Sequence, residues 1–276
     1  QEYNWRLFDT WIEWLTRNRV PIHAGPLVVF QENQLPDWLA MYETDFDTVR
    51  NLIFDHVRRV VERYSNHVVH WDVISGAHAD NTFNFSFEQL MEITRVTTAL
   101  VKQLAPRAHA IINLTLPWGE YYSRNQRTIP PMLYADMVVQ SGIGFDGIGA
   151  QFLFGAPSDG LFVRDMFQIS EKLDRLGNFG KPVHLTAVQV PSAWPANPSV
   201  AKTGGYWRKP WDEAVQAQWI KEFYAIALSK PFVESVTWND LADQPGNSLF
   251  PVGGLVQPNL TPKLSYKTLV AIRGQL

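Results

Sequence analysis

The chain has 276 residues, no cysteine and a formal net charge of −3, with 46% hydrophobic residues. That length can bury the core of one large domain, and the missing cysteines exclude disulfides, a thiol nucleophile and thiolate metal sites. The weak negative charge leaves no footprint for nucleic acid, and no apolar run reaches the roughly 18 residues of a membrane span.

Trp5, Phe8, Ile12 and Leu15 recur at helical spacing, which predicts a helix over Trp5 to Asn18. Val20 to Phe30 reads as a buried strand broken at Gly25-Pro26, and Gln31 to Leu39 as a loop. Asp45 can cap a helix running to about Ser65 with Val49, Ile53, Val57 and Val60 inward. Next comes the stretch that organises the chain. The β-branched run Val68, Val69, Val73 and Ile74 ends in the small-residue turn Ser75-Gly76-Ala77, followed at once by His78, Asp80 and Asn81. Ser86-Phe-Glu-Gln89 is a capping box that opens a helix to about Leu104. Further strands are expected over Ala108–Leu114, Gly144–Phe154, Val183–Val190 and Val233–Trp238. Helices are expected from Pro131 to Gln140, Val163 to Leu176, Asp212 to Ser229 and Pro262 to Arg273.

Strand and helix alternate with no internal linker, which predicts parallel βαβ units in a single domain over 1–276. A closed barrel of this class needs eight strands, and about six are readable. Six strands alone would expose two buried-type edges. The first two strands are therefore expected from an N-terminal segment or from another chain. Gln1-Glu2-Tyr3-Asn4-Trp5 is no signal peptide and has no initiator Met, so upstream sequence is expected to have been removed.

Ligands gather where strand C-termini meet loops, so the polar groups there are the candidates. His78 and Asp80 either serve acid–base chemistry at a mouth or hydrogen-bond their own loop. Glu120 lies among Trp118, Tyr121 and Tyr122, where desolvation would suit a general acid. The alternative is an ion pair with Arg124 or Arg127 that pins the loop. Asn113, Gln151, Gln189, Asn239 and Asp240 fall near strand ends and suit hydroxyl recognition. The loop Pro191–Trp211 brings Trp194, Tyr206, Trp207 and Trp211 with Lys202, Arg208 and Lys209, as a groove wall or as packing on the domain or a partner. Arg164-Asp165 and Arg124–Arg127 read as solvated or interface charges. Asp72, inside a strand, is read as a paired structural carboxylate. No residue cluster completes a metal ligand set, so no metal and no cofactor are expected. Aromatic content is 13%, with 11 Trp, and such rings stack on sugar faces or simply fill a large core.

Seven segments in order resemble the family 10 glycoside hydrolases, the (β/α)8-barrel xylanases. Asn4-Trp5 to Asn18 is similar to the family's second helix, and Gly25-Pro-Leu-Val-Val-Phe-Gln-Glu-Asn-Gln-Leu-Pro-Asp-Trp38 resembles its Gly-His-Thr-Leu-Val-Trp-His-x-Gln-Leu-Pro-x-Trp stretch. Trp71-Asp-Val-Ile-Ser-Gly76 resembles Trp-Asp-Val-Val-Asn-Glu, Ile148-Gly-Ala-Gln151 resembles Ile-Gly-x-Gln-Ser-His, and His184-Leu-Thr-Ala-Val-Gln189 resembles Ile-Thr-Glu-Leu-Asp. Val236-Thr-Trp-Asn-Asp240 resembles the last strand, and Pro262-Lys-Leu-Ser-Tyr266 the closing Lys-Pro-Ala-Tyr. The resemblance implies a TIM barrel to which this chain supplies about strands three to eight.

It also implies a polysaccharide or oligosaccharide partner and, by family habit alone, a secreted or periplasmic protein. The chemistry is expected not to carry over. Retaining glycosidases need two carboxyl groups about 5–5.5 Å apart. The family's acid/base Glu falls on Gly76 and its nucleophile Glu on Ala187. The neighbours differ too: Ser75, Gln189, Gly25, Phe30, Leu153 and Asn239 stand at family substrate-binding positions, with Trp238 adjacent to the last. A divergent branch is implied, either binding carbohydrate without double displacement, or hydrolysing it with relocated carboxylates (Glu120 with Asp80 or Asp240), or serving as a structural subunit.

Overall fold

The computed structural model describes residues 3–31, 34–195 and 203–275. It divides into two compact units, Gln1–Asn113 with Asp136–Gly147, and Leu114–Ala135 with Ile148–Leu276.

The first unit carries α1 (Arg6–Arg17), β1 (Ile22–Ala24), β2 (Val28–Val29), α2 (Phe46–Tyr64), β3 (Val68–Ser75), α3 (Phe87–Leu104) and β4 (His109–Leu114). Its strands pair only in parallel. β1 and β2 both lie along β3, and β3 pairs with β4. The expected first strand is thus two short pieces. Gly25 separates them at φ +128°, and a Cβ there would sit 2.6 Å from the Asp72 carbonyl oxygen. The chain crosses β3 so closely that only glycine fits. Asp45 caps α2 through the Thr48 N–H, and Ser86 with Gln89 forms the expected capping box on α3.

α1 departs from expectation in one respect. The periodic helix forms, but none of its residues is buried. It is tethered to α2 by polar contacts, with the Asp9 carboxylate accepting from Arg63 Nε at 2.9 Å and from the Tyr64 hydroxyl at 2.9 Å. Leu7, Phe8, Trp11 and Trp14 remain more than half exposed. Of the predicted stripe, Trp5, Ile12 and Leu15 are half-buried, with Trp5 edge-on to Tyr64 at 5.9 Å, while Leu7, Trp11 and Trp14 form a second apolar face that stands open.

The second unit holds the parallel strands β5 (Gly147–Leu153), β6 (Val183–Gln189) and β7 (Val233–Trp238), in that lateral order. The helices α5 (Met166–Gly177), α6 (Glu213–Leu228) and α7 (Leu264–Arg273) alternate with them, and α4 (Pro131–Gln140) spans the division between the units. Asp165 caps α5 and Asp212 caps α6. Phe152, Phe154, Trp219 and Phe223 are fully buried, with the last two rings stacked 4.7 Å apart at 12°. Lys263, just ahead of α7, is buried and fully satisfied. Its Nζ donates to Ser192 Oγ at 2.7 Å, Asp243 Oδ1 at 2.6 Å and the Gly254 carbonyl at 3.1 Å. One ammonium thereby ties the loops after β6 and β7 to the last helix. No helix among the described residues is long and apolar enough to cross a membrane.

Candidate functional site

In the first unit the candidate residues sit at the carboxyl end of β3. Asp72 is buried and accepts from His23 Nε2 at 2.8 Å and from Asn113 Nδ2 at 3.1 Å, as a paired structural carboxylate should. Gly76 follows at φ +66°, a left-handed conformation that disfavours any side chain. Its carbonyl accepts from the Ala79 and Asp80 N–H groups at 2.9 and 2.8 Å, so the chain curls inward at once. That curl corrects the expectation for His78. The ring is fully buried, and burial pushes its pKa down to about 3. A neutral, sealed imidazole cannot exchange protons with a substrate at neutral pH. Asp80 is half-buried, and desolvation raises its carboxyl above the ordinary Asp value. Asn81 closes the loop on itself, accepting from the Phe85 N–H at 3.0 Å and donating to its carbonyl at 2.9 Å. Asn113 is 1% exposed and commits its Nδ2 to Asp72, so it does not face a ligand as expected.

In the second unit Glu120 opens a 3-10 turn over Glu120–Ser123. Its carboxylate pairs with Arg164 and accepts from the Gly160 N–H at 2.7 Å. The expected partners were Arg124 or Arg127, but Arg124 instead pairs with Asp159 at 2.9 Å. Arg164, read as a solvated or interface charge, is largely buried and lies 5.3 Å over the Trp118 ring. Lys172 Nζ stands 5.4 Å from the same ring, and burial lowers its pKa to about 8. Trp118 also packs on Phe152 and Phe154 at 5.2 and 5.3 Å. Trp118 is therefore a packing element held between two cations, and Glu120 pins the loop.

The strand ends of β5 to β7 give a different picture. Gln151 lies in register with Ala187, and Leu153 with Gln189. Ala187 is 6% exposed, and Gln189 is fully buried against Gly253 with no hydrogen bond to either amide atom. Trp238 Nε1 donates to the Gly253 carbonyl at 2.9 Å. Asn239 is exposed, while Asp240 Oδ1 accepts from Gln244 Nε2 at 2.8 Å. Trp207 is buried beneath Arg208, whose guanidinium lies 4.3 Å over the ring and grips Glu222 at 2.9 and 3.0 Å. Burial thus removes Trp207 from an open wall. Trp194 remains half-buried, edge-on to exposed Tyr206 at 5.8 Å. With Pro191, Trp211, Phe250 and Gly253 it lines a cavity of about 180 Å³. At about 30 Å³ per water, that space suits a single small ring. No carboxylate is among its described lining residues. Lys202 and the other residues from 196 to 202 lie outside the described residues.

The structure thus gathers Trp194 with Trp211, Phe250 and Gly253, and sets Gln189 and Trp238 against that same glycine. Phe250 and Gly253 were missed by sequence reasoning. The Pro251-Val-Gly-Gly254 run was the available signal, since small residues mark close backbone approach.

The chain matches the profile of Glycosyl hydrolase family 10 over residues 1–271. It is similar to endo-1,4-beta-xylanase B of Thermotoga neapolitana, at 24% identity over 88% of this chain and 65% of that protein. It is also similar to endo-1,4-beta-xylanase A of Fusarium oxysporum f. sp. lycopersici, at 25% identity over 73% of this chain and 62% of the relative. The chain therefore spans less than two-thirds of the length of these relatives. Among solved structures, native xylanase 10B from Thermotoga maritima superposes with a TM-score of 0.73 at 19% identity, over all of this chain and 81% of that one. Xylanase 10B from Thermotoga petrophila RKU-1 in complex with xylobiose gives 0.73 at 20% identity, over 100% and 80%. The shared fold is the parallel α/β barrel type, of which this chain carries six to seven strands.

Proposed function

Since the chain belongs to glycosyl hydrolase family 10, we propose that it binds polysaccharide or oligosaccharide without performing the retaining double displacement of that family. One observation carries this reading. Gly76 and Ala187, which stand where the sequence resemblance puts the acid/base and the nucleophile, offer no carboxyl group, and both are buried. A double displacement needs a proton donor and an attacking carboxylate about 5–5.5 Å apart. The cavity beside Trp194 supports the binding half of the proposal, with ring and proline walls and no described acid in its lining.

The test is binding and hydrolysis measured together on the full-length protein, against β-linked and α-linked polysaccharides. Binding weakened by Trp194→Ala, with no reducing sugar released, is the expected result. Turnover that survives in the wild type but is lost in Asp80→Asn would overturn it in favour of a relocated acid. Asp80 is the observation behind that second reading, because burial raises its carboxyl above the ordinary Asp value, the direction a general acid needs. Glu120 supports it poorly, being engaged by Arg164 and the Gly160 N–H.

A structural role alongside either reading draws support from α1. Leu7, Phe8, Trp11 and Trp14 make an exposed apolar stripe that an upstream segment or a second polypeptide would cover. Protection of α1 amides from hydrogen exchange in the full-length protein, compared with residues 1–276 alone, would test it. Equal exchange rates would sink it.

A further inference from the structure

The backbone on either side of Tyr206 is held fast within the second unit. The Gly204 carbonyl accepts from the Val163 N–H at 2.8 Å, and the Gly205 carbonyl accepts from Trp211 Nε1 at 3.0 Å. Gly204 also lies so close to Ala156 that a Cβ would come within 2.4 Å of the Ala156 carbonyl oxygen. Trp207, the next residue, is buried, yet Tyr206 itself is 55% exposed. An aromatic ring carried on fixed backbone is ordered before any ligand arrives, so little ordering cost remains to be met on binding.

Two concavities meet at this ring. The cavity of about 180 Å³ beside Trp194 includes Gly205 in its lining and has room for one small ring. A second, more open hollow of about 360 Å³ runs over residues 163–166 and 206–208. Trp194 lines the first and Tyr206 the second, and the two rings touch edge-on at 5.8 Å. The charged groups around the second hollow are spent on one another. Arg164 pairs with Glu120, Arg208 holds Glu222 at 2.9 and 3.0 Å, and Asp165 accepts from the Gln168 N–H at 2.8 Å as the cap of α5. A charged ligand would have to displace one of these contacts. A neutral sugar ring needs only an aromatic face and hydroxyl partners, and a tyrosine supplies both.

We propose that the Trp194 cavity and the hollow over Tyr206 are consecutive subsites, so that the ligand is a neutral oligosaccharide of at least two rings and Tyr206 sets its minimum length. This rests on the carbohydrate-binding reading above and narrows it from any sugar to a chain of them.

Calorimetric titration of the whole chain with xylose and glucose, and with the β-1,4-linked dimer and trimer of each, tests the proposal. Affinity is expected to rise roughly three- to tenfold from monomer to dimer, the gain of one aromatic stacking contact. Tyr206→Phe keeps the ring and should keep that rise. Tyr206→Ala should lose it, so that dimer and monomer bind alike, and Trp194→Ala should weaken both. A melting curve for each variant separates ligand loss from misfolding. A uronic-acid-bearing dimer should bind no tighter than the neutral one at low ionic strength. A rise that persists in folded Tyr206→Ala, no rise in a wild type that binds the monomer, or a salt-sensitive preference for the acidic dimer would each overturn the inference and leave the carbohydrate reading standing. No saturable binding of either series would overturn that reading as well.

Discussion

His78 makes the first unit acid-sensitive in a way that can be calculated. Its imidazole is fully buried, and its pKa falls from 6.5 to about 3 in the folded chain. Above pH 6.5 both folded and unfolded forms are neutral there, and the residue contributes no pH dependence. Between pH 6.5 and 3 the unfolded chain takes up a proton that the folded one excludes, so stability falls as pH falls. The full loss is about 3.5 pKa units, or about 5 kcal/mol at 1.36 kcal/mol per unit. At pH 5 about 2 kcal/mol of it should already be gone. Urea unfolding of wild type and His78→Asn between pH 8 and 5 measures this. The variant is expected to start less stable and to lose less as the pH drops. Parallel curves for the two proteins, or a His78 resonance titrating near pH 6.5, would refute the reasoning.

Three further outcomes are expected. Gly25→Ala should cost about 1–3 kcal/mol in denaturant unfolding, because the new Cβ meets the Asp72 carbonyl on a backbone at φ +128°. Lys263→Met should cost about 3–5 kcal/mol by leaving Asp243 buried and unpaired, and adding Asp243→Asn should recover part of the loss. Glu120→Gln should cost less than about 1 kcal/mol globally, since the carboxylate is partly exposed, yet speed proteolysis within Trp118–Arg127 by releasing Arg164.

The elements were legible in the sequence because their signals are local. The Ser86–Gln89 box, the Asp45 and Asp212 caps, and the β-branched run of β3 each act within a few residues, and each stands where it was read. The site was legible only as a set of strand ends. Which way a side chain turns beyond a strand end depends on backbone that no spacing reveals, and Gly76 at φ +66° turns His78 inward. Glu120 pairs with Arg164, not with the neighbours Arg124 or Arg127 that its loop reading named. Its true partner Arg164 was hidden because the ion pair is made by tertiary packing around Trp118, not by neighbourhood in the chain. On α1 the half-buried stripe of Trp5, Ile12 and Leu15 was readable, but not the open face of Leu7, Trp11 and Trp14 beside it.

The left-handed backbone at position 76 constrains which residues that turn can accept. A residue with a Cβ placed there must first absorb about 1–2 kcal/mol of conformational strain. Its carbonyl already anchors the two N–H groups that begin the following curl, so relaxing the strain means unwinding that curl as well. A Gly76→Glu variant should therefore unfold more readily than the wild type, whatever the new carboxyl could contact.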